Sequence, residues 1–465
     1  MKKITLFAVT MLAFMFLSVS CLSSPSTDGN STKQDTTSNT KDSPDVEFVK
    51  KVQTLLNKGD YKQAIALFDN MPSQLKNNQD LQLILASLYF SDSQYDAAKE
   101  VAEKVLVSDP DNMEALELLS LIAKSTGDKK TNSEINAKIL TKDPYNTSIN
   151  IQQAEDYVLN HKYKLAKNSY KKALQNDPEN KDALFGYAQM SYYSGDVKEA
   201  SEIFQQIIND DKTNYQAIAY LGKIAAEDQN YLRAQNYVQE AIKYNPTSYD
   251  AYLDLGSYLR YQGKYEDAIK AWNKAIELDS GYFLGYAYLA GIYDEQNNYN
   301  KAIENYHKVI ETNPKYFYAY EACAVLEFHE KQYESAQKNF QKAYSYSKNY
   351  SYQLMIAAIY LIQKDSINAK KVLSSLLKTL NRDSAEYDLV RFFNESYSKN
   401  AEATLIQKIE KTDDRNAKGK MLFYMGLYYE INGFSENAFE YYSKVIKMQA
   451  PMFFEYRFAE WGIKE

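Results

Sequence analysis

Cysteine and histidine are nearly absent from this 465-residue chain, which holds two of the first, Cys21 and Cys323, and three of the second, His161, His307 and His329. Two cysteines build no disulfide framework and no CxxC zinc site, and three scattered histidines leave little for metal or acid–base chemistry. Positive charge is also short, with 54 Lys and Arg against 61 Asp and Glu, a net charge of −7. That balance disfavours nucleic acid as a partner, because backbone binding needs Lys and Arg to replace counterions. No GxxxxGK[ST] loop or GxSxG elbow occurs, so the usual phosphate cradle and serine nucleophile are missing. His329-Glu330 opens like an HExxH zinc motif, but the fifth residue is Tyr333. The carboxylates scatter without a singled-out acid–base pair. Against these absences stand 43 tyrosines.

Long apolar runs are equally scarce. The one at the N-terminus, Ile4 to Leu17, follows Lys2 and Lys3 and is too short for a membrane span of roughly 20 residues. With the small residues Ser18, Val19 and Ser20 behind it, residues 1–20 read as a secretory signal. Cys21 comes next, so the segment resembles a bacterial lipoprotein signal, although Ser18 stands where the usual lipobox has Leu. The resemblance implies a lipid-modified, acylated Cys21 at the mature N-terminus, and several acyl chains anchor firmly. An ordinary secretory signal with a chance cysteine and an uncleaved anchor are the alternatives. Leu22 rather than Asp after the cysteine points, by analogy, to the outer membrane. Residues 21–44 are rich in Ser, Thr, Asn and Asp and lack aromatics, so they predict a disordered tether reaching roughly 25 Å.

From residue 45 one period rules. Pro110, Pro144, Pro178, Pro246 and Pro314 fall at one constant spacing or at twice that spacing. A period of about 34 residues predicts stacked helix pairs. Frames of that length starting at 45 fit twelve times, over 45–452. The eighth slot is Gly, Ala or Ser in ten frames, as in Ala86, Ser120 and Gly256. The twentieth is Ala in nine, including Ala64, Ala98, Ala166 and Ala268. Small residues at two fixed points let paired helices cross closely. Turn signals such as Gly59-Asp60 and Gly195-Asp196 end each first helix, and the period-final Pro stops the second.

With Ala154, Tyr157, Ala166, Tyr170, Ala173 and Pro178 in one frame, and Gly256, Leu259, Ala268, Trp272 and Ala275 in another, the pattern resembles the tetratricopeptide repeat family. The resemblance implies an all-α, right-handed solenoid of about twelve helix–turn–helix units with a concave groove. Frames 113–146 and 385–418 depart from the pattern through Asn132, Phe392 and Thr404, and frame 351–384 carries Lys370 in the twentieth slot. Residues 453–465 predict a final amphipathic helix covering the last repeat.

In this family the first helices line the groove through slots 2, 5, 9, 12 and 13. Carried over, these are Phe185, Gln189, Tyr192 and Tyr193; Lys223; Arg260 and Tyr261; Tyr318, Phe328 and His329; and Tyr352 and Met355. Aromatics with a few polar groups suit an extended peptide or a partner helix. Most tyrosines instead serve packing between helices. The family's carboxylate clamp is not expected, since slot 5 carries no Lys and slot 9 carries Lys223 but no Asn. Lys223 and Arg260 either meet an acidic group of a partner or stay solvated. Cys323 reads as a small core residue.

The expected function is therefore a non-catalytic, membrane-anchored protein–protein interaction scaffold of the bacterial cell envelope. It binds a peptide or an unidentified envelope protein and needs no cofactor or metal, because the repeats leave no space for a catalytic domain. The alternative is an accessory module binding glycan or peptidoglycan on its tyrosines.

Overall fold

A helix begins cleanly where a side chain takes over a backbone amide that would otherwise go unpaired. Asn112, Asn146, Asn180, Asn214 and Ser248 recur once per period, and each accepts from the amide three positions on. Four of them follow a proline by two positions. The residue before that proline is extended, as at Asp109 (φ −136°) and Asp177 (φ −131°), which closes the preceding helix.

The computed structural model describes residues 44–395 and 399–464. The signal 1–20, Cys21 and nearly all of the tether lie outside the described residues. Among the described residues there are twenty-five α-helices and no strand, so the fold is the expected all-α stack of consecutive helix pairs. No described helix is long and apolar enough to cross a membrane.

The chain divides into two compact units, up to Lys212 and from Thr213 onward. In the first, five helix pairs run from Pro44–Asn57 with Tyr61–Phe68 to Lys181–Tyr193 with Val197–Asp210. Ala64, Ala98, Ala166 and Ala200 are fully buried where the paired helices cross. The pair Met113–Thr126 and Lys129–Lys142 lacks that alanine and crosses on polar contacts instead. Asn132 Nδ2 donates to the Ser120 carbonyl at 2.9 Å and to its Oγ at 3.0 Å, Ser120 Oγ donates to Asn136 Oδ1, and Asn136 Nδ2 returns to Asn132 at 3.3 Å. Buried polar groups are tolerated when they satisfy one another, and here they do.

The second unit holds seven pairs, from Tyr215–Glu227 with Tyr231–Tyr244 to Arg415–Ile431 with Ser435–Lys447, and then Phe454–Gly462. Its period shortens by one residue at one repeat and regains it before the left-handed turn at Gly433 (φ 81°). The left-handed turn residue moves from Lys331 (φ 58°) to Lys364 (φ 60°), one position short of a full period, and the helix starts at Tyr350. The frame expected at 351 therefore begins one residue early. Ala369, fully buried, takes the slot assigned to Lys370, so this repeat is regular. Phe392 is buried and packs on Tyr428 at 4.4 Å, while Leu405 points inward in place of the exposed Thr404.

The end of the chain departs from simple stacking. Tyr424 Oη, on the first helix of the last pair, lies 2.9 Å from the Ser351 carbonyl, two repeats earlier. The helix Phe454–Gly462 packs on the last pair, with Phe458 stacked on Phe423 at 5.8 Å, and it also reaches back over three earlier repeats.

Candidate functional site

The first helices of each pair carry the residues expected to meet a partner, and each unit presents its own set. In the first unit Tyr193 ends the helix Lys181–Tyr193 and stacks on Tyr163, the first residue of the preceding repeat's second helix, at 5.2 Å and 26°. Tyr192 sits edge-on to it at 5.3 Å. In the second unit Tyr261 stacks on Tyr231 at 4.6 Å and 12°, in the same two slots. A third case has His329 edge-on to Tyr299 at 4.9 Å. The tyrosine that opens a second helix is thus a platform for the ring that ends the next first helix. Tyr193 and Tyr261 keep 46% and 61% of their surface exposed, so each pair is packing and presentation at once.

The other expected contacts separate. Phe185 turns half inward, edge-on to the buried Phe204 at 5.7 Å. Tyr318 stays 60% exposed with its ring 3.9 Å from that of Phe317. Lys223 pairs with Asp254 at 3.4 Å, and Arg260 forms a two-pronged pair with Glu295, 3.3 Å from its Nε. Their charges are engaged between neighbouring repeats, while Lys223 and Arg260 keep 34% and 38% of their side-chain surface exposed. Phe328, expected at the groove surface, lies under Phe458 at 5.0 Å.

That cover comes from the last helix, and its contacts are specific. Arg457 forks onto Asp294, with Nη1 2.8 Å from Oδ2, and its guanidinium lies 4.6 Å from the Trp461 ring. Trp461 stacks on His329 at 4.0 Å and 20°, and its Nε1 donates to Tyr299 Oη at 3.3 Å. Phe454 stacks on Tyr352 at 5.7 Å and 10°. Asp294, Phe328 and His329 belong to groove slots of their frames, while the one-residue slip moves Tyr352 just past one, where it is buried. The spacing of Phe454, Arg457, Phe458 and Trp461 is visible in the sequence, but their seat is not.

His307, Cys323 and Glu327 bring one ligand atom each to within 4.8 Å of one another. The fully buried Glu327 carboxylate already accepts from Asn339 Nδ2 at 2.8 Å and from Ser335 Oγ, and lies 2.7 Å from His307 Nε2. Burial, with the carboxylate beside it, pushes the Cys323 thiol far above its ordinary range, so it stays protonated and unreactive. The group is a hydrogen-bonded knot among three helices around a buried carboxylate, with the carboxylate lone pairs already engaged.

Four segments match family models: 55–123, 221–283 and 284–316 match models of the tetratricopeptide repeat, and 156–248 matches the cytochrome c-type biogenesis protein H TPR domain. No curated protein matches the chain. Similar solved structures include MamA, 26% identical over 34% of this chain and 92% of that one, with a TM-score of 0.32. YrrB, a TPR protein with an unusual peptide-binding site, is 22% identical over 40% and 96%, with a TM-score of 0.31. A tetratricopeptide repeat protein from Parabacteroides merdae is 17% identical over 54% and 97%, with a TM-score of 0.36. Consecutive helix pairs that mostly cross on buried alanines, together with the four matched segments, make this chain a member of the tetratricopeptide repeat family.

Proposed function

We propose that this chain is a non-catalytic protein–protein interaction scaffold of the bacterial cell envelope, lipid-anchored at Cys21 and held off the membrane by its tether. The outer membrane is the favoured site, from Leu22 after the cysteine. The observation that carries the reading is the recurrence of half-exposed aromatic rings already locked by stacking, Tyr193 on Tyr163 and Tyr261 on Tyr231. A ring fixed before binding loses little entropy when a partner covers it, and such rings dominate binding energy where they occur. A photo-crosslinker placed at positions 192 and 261 in intact cells is expected to capture a defined envelope protein. Captured glycan would move the reading to a glycan-binding module, and no capture from either position would end it. Metabolic labelling with a fatty acid should mark the wild type and not Cys21→Ser; equal labelling of both removes the anchor.

A further inference from the structure

The helix Phe454–Gly462 is only 9 residues long and is joined to the array through residues 448–453, which include Pro451. A helix this short is not stable alone in water, so its fold depends on the surface beneath it. That surface is the first-helix face of three consecutive repeats, which presents Asp294 to Arg457, Phe328 and His329 to Phe458 and Trp461, and Tyr352 to Phe454. The seated residues fall at i, i+3, i+4 and i+7, the spacing with which an amphipathic helix fills a partner's groove.

Two features mark the seat as exchangeable. Glu455, on the same helix, is fully buried; its Oε1 meets Tyr424 Oη at 3.2 Å, while Oε2 makes no hydrogen bond. A buried carboxyl left half-paired opposes docking. With the resident helix seated, Asp294 is only 19% exposed and has Arg457 as its ion-pair partner, so any helix that covers this carboxylate must bring a cation to that point. Another Arg-bearing helix can take the place of the resident one without leaving that carboxylate covered and unpaired.

We propose that this groove receives an amphipathic helix of another protein with an Arg three residues after one aromatic residue and further aromatics at four and seven, and that the chain's own Phe454–Gly462 is the resident competitor it displaces. The proposal rests on the scaffold reading above and narrows its partner to one chemistry. The acids on these first helices not paired with Arg260, Asp294 and Glu321, repel an acidic segment and favour the Arg-bearing one. The resident helix lowers the apparent affinity for the partner by the fraction of grooves it leaves open.

The test uses the full chain and a fluorescent peptide of residues 451–465 as the probe, read by anisotropy. Arg457→Glu in the chain should loosen the resident helix and raise peptide affinity at least about tenfold over wild type. Asp294→Arg alone in the chain should also unseat the resident helix but repel the wild-type peptide, and a peptide carrying Arg457→Glu should bind that variant. The wild-type chain supplies a second readout that needs no variant: excess unlabelled peptide should speed hydrogen exchange of the 454–462 amides and leave Tyr265–Leu278 unchanged. Equal peptide affinity for wild type and Arg457→Glu, failure of the charge swap, or unaltered exchange each overturns the proposal. A wild-type dimer dissolved by Asp294→Arg would give the groove to a second copy's helix and overturn it too. No cellular partner enters these measurements, so their failure is separable from failed crosslinking at 192 and 261.

Discussion

The Trp461 indole lies flat on the His329 imidazole, 4.0 Å between ring centres, joining the last helix of the chain to a repeat far upstream. Because the contact closes a long loop, its worth shows as coupling rather than as a single loss. In a double-mutant cycle of Trp461→Ala and His329→Ala, urea unfolding should give a coupling energy of about 1 kcal/mol. Additive losses would mean that the rings merely touch.

The Tyr231–Tyr261 stack makes a second stability prediction. Tyr261→Ala should cost about 1 kcal/mol, while Tyr261→Phe should be close to neutral, because the contact is ring on ring. Chemical denaturation midpoints check both. If Tyr261→Phe falls as far as Tyr261→Ala, the hydroxyl is what matters and the stacking account fails.

Glu117 sets a pH dependence in the first unit. Burial raises its carboxyl from 4.5 to about 7, against the opposing pull of the Asn146 amide 2.7 Å away. The folded chain therefore holds a proton that the unfolded chain releases. This contribution is complete below about pH 4.5 and is lost as pH rises through about 7. Urea midpoints should fall between pH 5 and 8 by the equivalent of up to about 3 kcal/mol, and Glu117→Gln should flatten the slope.

Two glycines should answer the same substitution with opposite signs. A Cβ at Gly256 would run into the Trp272 indole, whose Nε1 donates to the Leu253 carbonyl at 3.2 Å, so Gly256→Ala should cost about 1–3 kcal/mol. Gly291 sits in the helix Leu284–Glu295 with nothing within 4 Å of its Cβ position, so Gly291→Ala should gain about 0.5–1 kcal/mol. Thermal melts of the two variants should shift in opposite directions.

Cys323 should ignore a thiol reagent in the native chain and react once the chain is unfolded in denaturant, since burial keeps its thiol protonated and out of reach. Fast native labelling would contradict the closed knot with Glu327.

Much of the fold is legible in the sequence because its causes are local. A small residue at the helix crossing, a tyrosine opening the second helix and an Asn two positions after the proline act within one period, so each repeat writes its own pattern. The one-residue slip at Tyr350 is less legible. Alanine stands at both 357 and 358 and hides the shift, while a fixed frame puts Lys370 in the slot that Ala369 fills. The groove is legible only as a set of slots. Whether Tyr261 meets a platform, whether Arg260 is spent on Glu295, and whether Phe328 is open depend on what the next repeat places opposite.

The sequence by itself determined the helix pairs, their period and the small-residue crossings, since propensity, capping and burial pattern need only neighbours in the chain. Only the tertiary structure decided that Arg457 would find Asp294 and that Glu455 would be buried beside Tyr424. Those contacts depend on how far successive repeats turn the array, a sum of small rotations that no single repeat encodes.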